Sequence, residues 1–322
     1  MEDPDKFFEV IDGVKPFDLM VAPSGFGLPL KKVQDLTEDD MFQILLKFKR
    51  DKEKKIVGLG EILRRIKVQN YPSVIVPSVK HLPTVPTYKK VNKIDLGTAD
   101  KVCTAVVGIR DQIESYNITA EKTNFILIEI GFGFTAVLAI ENGQIIDGIG
   151  GSNIMGIHAC GSVDGELAYL IGEIKKKHYY QGGVASIAGY ANLSLQEVVQ
   201  LAKKDAQSKL AIKAFMDSIK KATFAITSAF SEKNKIKDIL LAGRGIDLEV
   251  IKDDLKNTLH KIANVREMKT YSQIAKRSAQ GAAFIADGLL GGKFKPIIDN
   301  LKLKDSSGSV LDHIYIPYER KA

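Results

Sequence analysis

An apolar run, Phe125–Ile130, contains one acidic residue, Glu129, and then turns at Gly131-Phe132-Gly133. Glycines at a corner leave backbone N–H groups uncovered, and uncovered N–H groups can cradle a phosphate. A carboxylate beside them can hold a hydrated metal ion; otherwise Glu129 is a solvated carboxylate at a strand edge and the Gly-x-Gly is only a turn. A second corner, Gly243-Arg244-Gly245, stands between the run Asp238–Leu241 and a helix, where a nucleotide can meet a helix N-terminus. Arg244 can stack on a base or pair with phosphate, or it is a surface arginine in a turn.

The elements that must position these corners follow from periodicity. Thr135–Ile140 returns from the first corner to Asn142-Gly143, and Gln144–Ile149 follows. Asn-Gly between two β-rich runs marks a hairpin, because both central residues of its turn need positive φ. Before this meander the chain alternates. A short helix covers Phe7–Val10, and a strand covers Phe17–Ala22. One helix runs from Thr37 or Glu38 to about Phe48 and another covers Leu59–Val68. A strand at Ser73–Val76, a proline-rich loop at Pro77–Pro86 and a helix from Thr98 toward Ser115 complete this part. After the meander, Ile154–Gly165 is glycine-rich and irregular and Gly165–Lys175 is helical. Ser194 and Glu197 make a capping box, and helices follow over Lys209–Phe230, Leu248–Lys261 and Ser272–Leu290. The tail from Lys293 reads as weakly structured or wrapped on the surface. The pattern changes near Lys122, which gives α/β architecture in two parts: residues 1–122 with the C-terminal segment 273–322 packing back on them, and residues 123–272.

Composition narrows the class. The chain has 322 residues, enough for two cores, with 45% hydrophobic and 26% charged residues. No apolar run approaches the roughly 20 residues of a membrane span, and the N-terminus, MEDPDKFFEV, is no secretory signal. Cys103 and Cys160 have neither metal-ligand spacing nor a disulfide framework, which fits a reducing cytosol. The net charge is +7, much of it in lysine runs such as Lys47–Lys55 and Lys175–Lys177. With no Trp and no aromatic–basic interleaving, these runs read as a solvated surface rather than a nucleic-acid interface. A mild positive field also favours anionic substrates.

The order of these motifs resembles the actin-like ATPase superfamily, which includes sugar kinases, acetate kinase and butyrate kinase. Glu129-x-Gly131-x-Gly133 followed by Gly143-x-Ile145-Ile146-Asp147-Gly148 is similar to its second phosphate loop, and Leu240-Leu241-Ala242-Gly243-Arg244-Gly245 to its adenosine loop. Three further stretches resemble an archaeal family of predicted butyrate kinases: Ala22-Pro23-Ser24-Gly25-Phe26-Gly27-Leu28-Pro29, Lys93–Lys101 and Ala279-Gln280-Gly281-Ala282-Ala283. The resemblance extends over about Asp3 to Gly292. It implies a two-lobed actin-like ATPase (ribonuclease H-like) fold and an ATP-dependent phosphotransferase that uses Mg²⁺ and a small carboxylate acceptor. It also implies nucleotide contacts at Gly131, Phe132, Gly133, Gly150, Gly151, Ser152, Gly243, Arg244 and Gly245, with Glu129 toward the metal. Asp95 and Asp100 then orient the acceptor, bind metal or cap the next helix. Ser24 and Gly25 line the acceptor pocket, and His81 resembles a histidine-bearing acetate-kinase segment.

Two departures stand out. Gly97-Thr98-Ala99-Asp100 resembles a Gly-Thr-Ser-His element, with Asp100 where histidine is expected. The superfamily's first phosphate loop, an Asp-x-Gly-Thr hairpin, has no counterpart before Phe17. A first-lobe sheet without that hairpin has an open edge, so either a homo-oligomer, a dimer first, or poor stability alone is expected. A non-catalytic nucleotide-binding protein of the same fold and a sugar-kinase-like enzyme are the alternative functions.

Overall fold

The computed structural model describes residues 4–47 and 58–318. Phe48 and most of the Lys47–Lys55 run lie outside the described residues. Three short strands, β1 (Met20–Val21), β2 (Lys31–Lys32) and β3 (Ser73–Ile75), form a sheet in the order β1-β3-β2. β1 runs parallel to β3 and β2 antiparallel to it. The strand expected over Phe17–Ala22 thus contracts to two residues, although the Ala22 N–H still donates to Val74 O at 2.9 Å. Among the described residues β1 is an edge strand, and helix Arg277–Leu289 packs against it. Helices Pro4–Gly13, Glu38–Leu45 and Leu59–Val68 close the small sheet through Phe8, Ile44, Ile62 and Ile66. Thr37 and Asp40 cap the second of these reciprocally.

A larger sheet holds β4 (Phe125–Ile130), β5 (Thr135–Glu141), β6 (Gln144–Ile149), β7 (Asp238–Ala242) and β8 (Asn264–Glu267), in the order β6-β5-β4-β7-β8. The meander β4–β6 is antiparallel, and Asn142 and Gly143 take φ of 53° and 69° in its turn. β4, β7 and β8 are parallel. β4 is buried on both faces, as a central strand with parallel pairing requires. Ile126, Ile128, Ile239 and Leu241 face helices Ala206–Ile226 and Glu249–Leu259 through Phe215, Ile219 and Leu255. Phe125, Leu127 and Leu240 face helices Ala99–Tyr116 and Arg277–Leu289 through Val102, Val106, Ile109 and Ile285. These two helices cross closely at Gly281, where a Cβ would stand 1.8 Å from Cys103 O.

At the end where β7 begins, Asp111 and Asp238 are fully buried and share one guanidinium. Arg266 Nη1 lies 2.9 Å from Asp111 Oδ2, and Arg266 Nε lies 3.0 Å from Asp238 Oδ1. Gln112, Tyr116 and Asn264 also donate to Asp238. The tail is more ordered than its sequence implies. Residues Lys295–Asn300 form a helix, and Ile298, Leu301, Leu303 and Val310 are buried, the first three in the same core as Val102 and Ile285. Cys103 and Cys160 are free thiols. Among the described residues no helix is long and apolar enough to cross a membrane.

Candidate functional site

The parallel register pairs Glu129 with Ala242, so the chain leaves β4 and β7 side by side at one end of the sheet. The two corners are in contact. Gly243 adopts φ of +91°, and a Cβ there would stand 2.2 Å from Ile130 O; one at Gly245 would stand 2.1 Å from Ile130 Cγ2. These glycines are needed by the fold, because a side chain would part β7 from the end of β4. Gly131 N–H closes the first corner by donating to Phe134 O at 2.9 Å. Gly133 differs: a Cβ would meet only His158 Cδ2, at 4.0 Å, so its face is open. Phe132 at the tip is 69% exposed, its ring 6.0 Å from that of His158 between centroids and inclined to it at 60°. Arg244 is exposed and has no hydrogen-bond or ion-pair partner among the described residues.

Helix Ala99–Tyr116 begins at the same end. Its first N–H, from Ala99, donates to Gly25 O at 3.0 Å, which ties the Ser24–Gly25 loop to this site. Thr98 holds the N-cap position, but its hydroxyl donates to Asp100 Oδ1. Between Asp100 and Glu129 stands Lys101, which no local motif marks. Lys101 is 6% exposed, and its ammonium donates to Glu129 Oε1 at 2.8 Å and to Asp100 Oδ2 at 2.9 Å. It lies 4.0 Å from the point where a Cβ on Gly131 would stand, directly behind the glycine corner. Burial alone would lower the Lys101 ammonium's pKa, but Asp100 and Glu129 outweigh it and the pKa is raised. Burial works the other way on Asp100; the Lys101 charge and the Thr98 hydroxyl prevail and hold that carboxyl at about 2. Lys276, exposed at the start of helix Arg277–Leu289, adds to this pull. The signal for Lys101 was in the sequence: it is a lone cation in a stretch, Ala99–Ile109, that is apolar almost all round.

Asp95 is held by backbone N–H groups at the same end. It is 7% exposed, its Oδ1 accepts from Gly97 N–H at 3.0 Å and its Oδ2 accepts from Ser152 N–H at 2.9 Å. Its carbonyl accepts from Gly150 N–H and from Asn153 Nδ2. Each carboxylate oxygen thus accepts from backbone, and Asp95 clasps the Gly150-Gly151-Ser152 turn. Burial raises its pKa against these hydrogen bonds. A Cβ on Gly150 would stand 1.8 Å from Asp95 Oδ1. Neither Asp95 nor Asp100 caps the helix through its backbone N–H groups.

The His81 ring bonds Ser78 in its own loop. It is 1% exposed, its Nδ1 accepts from Ser78 N–H at 3.2 Å, and its Nε2 is buried without a partner. Burial, with the charges of Lys90 and Lys80, lowers its pKa to about 4. Glu129 is 8% exposed; Oε1 is held by Lys101, while Oε2 is buried without a partner. Ser24 Oγ and Thr135 Oγ1 are likewise buried and unpartnered, and all three belong to residues at this end. Among the described residues no group of three or more His, Cys, Asp or Glu forms a metal cage.

The mixed sheet with helices on both faces and glycine corners at the carboxyl ends of its strands has the actin-like ATPase fold seen in acetate and propionate kinases. A propionate kinase from Francisella tularensis is similar with a TM-score of 0.62 and 15% identity, over 86% of this chain and 81% of that one. An acetate kinase from Porphyromonas gingivalis has a TM-score of 0.62 and 13% identity, over 89% and 85% of the two chains. The Entamoeba histolytica acetate kinase has a TM-score of 0.58 and 10% identity, over 80% and 73%. At these identities the likeness is one of fold. No curated protein matches the sequence. The chain belongs to the DUF1464 family, described as a protein of unknown function, whose profile matches residues 1–316.

Proposed function

We propose that this protein is an ATP-dependent phosphotransferase that phosphorylates a small carboxylate, as its resemblance to butyrate and acetate kinases implies. The observation that carries this reading is the meeting of the Gly131–Gly133 and Gly243–Gly245 corners beside a buried ammonium and three unpartnered buried polar atoms. Phosphoryl transfer asks the protein mainly to position and neutralise charge. Phe132 and Gly133 N–H groups and the N-terminus of helix Ala99–Tyr116 supply dipoles for phosphate oxygens. Lys101 supplies a fixed positive charge behind the corner, and Arg244 and Lys276 supply mobile ones at its rim. Gly243–Gly245 receives the nucleoside. A carboxylate acceptor is already ionised at neutral pH, so it needs no general base. The histidine that Asp100 replaces is therefore not needed to remove a proton.

The donor set also fits a hydrated magnesium ion. Asp100 and Glu129 are hard oxygen ligands, and Glu129 Oε2 is an acceptor without a partner. With Lys101 between them they leave one net negative charge. Asp100, the more exposed, would hold the ion, with Glu129 reached through water; bound there, the ion would neutralise phosphate oxygens.

A second reading, a nucleotide-binding protein without turnover, is favoured by one observation: Asp100 is engaged by Thr98 and Lys101 rather than free. Incubation with MgATP and acetate, propionate or butyrate, with hydroxylamine to trap acyl phosphate, separates the two. Hydroxamate formation that falls at least about 100-fold in Lys101→Met is expected, the scale of losing one transition-state electrostatic contact. Calorimetric ATP binding without hydroxamate selects the second reading, and no ATP binding at all overturns both.

A further inference from the structure

A cavity of about 300 Å³ lies between residues 80–90 and the C-terminal segment 307–313, and none of the corner residues lines it. Its walls are held together. Lys80 Nζ donates to Val310 O at 2.7 Å and also to Lys93 O, Ser307 N–H donates to His81 O at 3.0 Å, and Asn92 N–H donates to His313 O at 2.9 Å. Its lining residues include two lysines, Lys80 and Lys90, and one acid, Asp312. Lys80 is 3% exposed, and the acceptors of its ammonium are carbonyls; Lys90 Nζ donates to Leu82 O at 2.9 Å. Neither lysine forms an ion pair among the described residues, and Asp312 Oδ2 is occupied by Ser309 N–H at 2.7 Å.

Buried charges are normally paired, because an unpaired one bears its full desolvation penalty. Here Lys80 is buried and Lys90 half-buried beside one carboxylate residue, Asp312, so the two lysines outnumber the acids in the lining. Burial holds the Lys80 pKa down at about 8, with Asp312 opposing and Lys90 assisting. An anion in the cavity would offset the charge that Asp312 leaves uncompensated. Ser307, Ser309 and Thr87 add hydroxyl groups to its lining. We propose that this cavity is a binding site for a small anion carrying a phosphate or carboxylate group, recognised by Lys80 and Lys90 and separate from the glycine corners.

The test is calorimetric titration of the full chain with inorganic phosphate and, separately, with acetate, which tells the two head groups apart. Lys90→Gln should weaken binding about tenfold, the scale of one charge-assisted hydrogen bond. Asp312→Asn, which removes the competing negative charge, should strengthen it by a similar factor. Gly133→Val, placed at the other site, should leave it unchanged. Lys80→Met is left aside, because losing its two carbonyl contacts threatens folding. No saturable heat with either anion, equal affinity in wild type and Lys90→Gln, weaker binding in Asp312→Asn, or loss in Gly133→Val would each overturn the proposal.

Discussion

His81 carries its own pH test at the scale of a single residue. The ring is neutral and buried, and its pKa is lowered from 6.5 to about 4. An unfolded chain takes up a proton near pH 6.5 that the folded chain refuses until about pH 4. Folding stability is therefore complete above pH 6.5 and falls as the pH drops through this window. The loss from His81 is on the order of 3 kcal/mol, at about 1.4 kcal/mol per pH unit. In His81→Asn the amide oxygen can take the place of Nδ1 and accept from Ser78, and it cannot titrate. Urea unfolding at a series of pH values should show that component of the slope in the wild type and not in the variant. An unchanged slope would mean that His81 is protonated in the folded protein or more open than it is here.

At the scale of elements, the two corners predict opposite behaviour from the same substitution. Gly243→Val places a branched side chain against the backbone of Ile130 at φ of +91°, so the end of β7 must separate from β4. That variant should be strongly destabilised, by roughly 3 kcal/mol or more. Gly133→Val projects into open space, so its unfolding midpoint should stay near that of the wild type while nucleotide affinity falls. Thermal denaturation beside ATP titration checks both, and equal stability of the two variants would contradict the packing described. The meander was legible because six-residue apolar runs and an Asn-Gly turn are local signals. β2 and β8 were not, since Lys31–Lys32 and Asn-Val-Arg-Glu have no strand pattern of their own. Their pairing comes from neighbours: β3 recruits the first and β7 the second. The corner glycines were readable for the same local reason, and Ser194–Glu197 forms the capping box its spacing foretold. Lys101 and the Asp95 clasp depend on partners 28 and 57 residues away, which no local pattern records.

On the scale of the whole molecule, the Asp111–Arg266–Asp238 cluster fastens helix Ala99–Tyr116 to β7 and β8 at the end remote from the corners. Replacing Arg266 with Met would leave two buried carboxylates facing each other. The expected loss is roughly 3–5 kcal/mol of unfolding free energy, the range for removing one partner of a buried pair. Because this lies at the far end of the sheet, ATP affinity measured where the variant is still folded should hardly change. Urea denaturation followed by circular dichroism reads the first effect and calorimetry the second. A loss under about 1 kcal/mol, the level of an exposed ion pair, would show that water reaches the cluster.

The contact between Asp95 and Gly150 has a consequence for descent. The carboxylate fills the volume that any larger residue at position 150 would need, so the two sites form a single unit of variation. A lineage can enlarge position 150 only if position 95 shrinks at nearly the same time, and every intermediate with one change would loosen the Gly150–Ser152 turn. Relatives should therefore keep both residues or lose both, and a sequence that keeps the aspartate beside a bulky residue at 150 should hold that turn in another way.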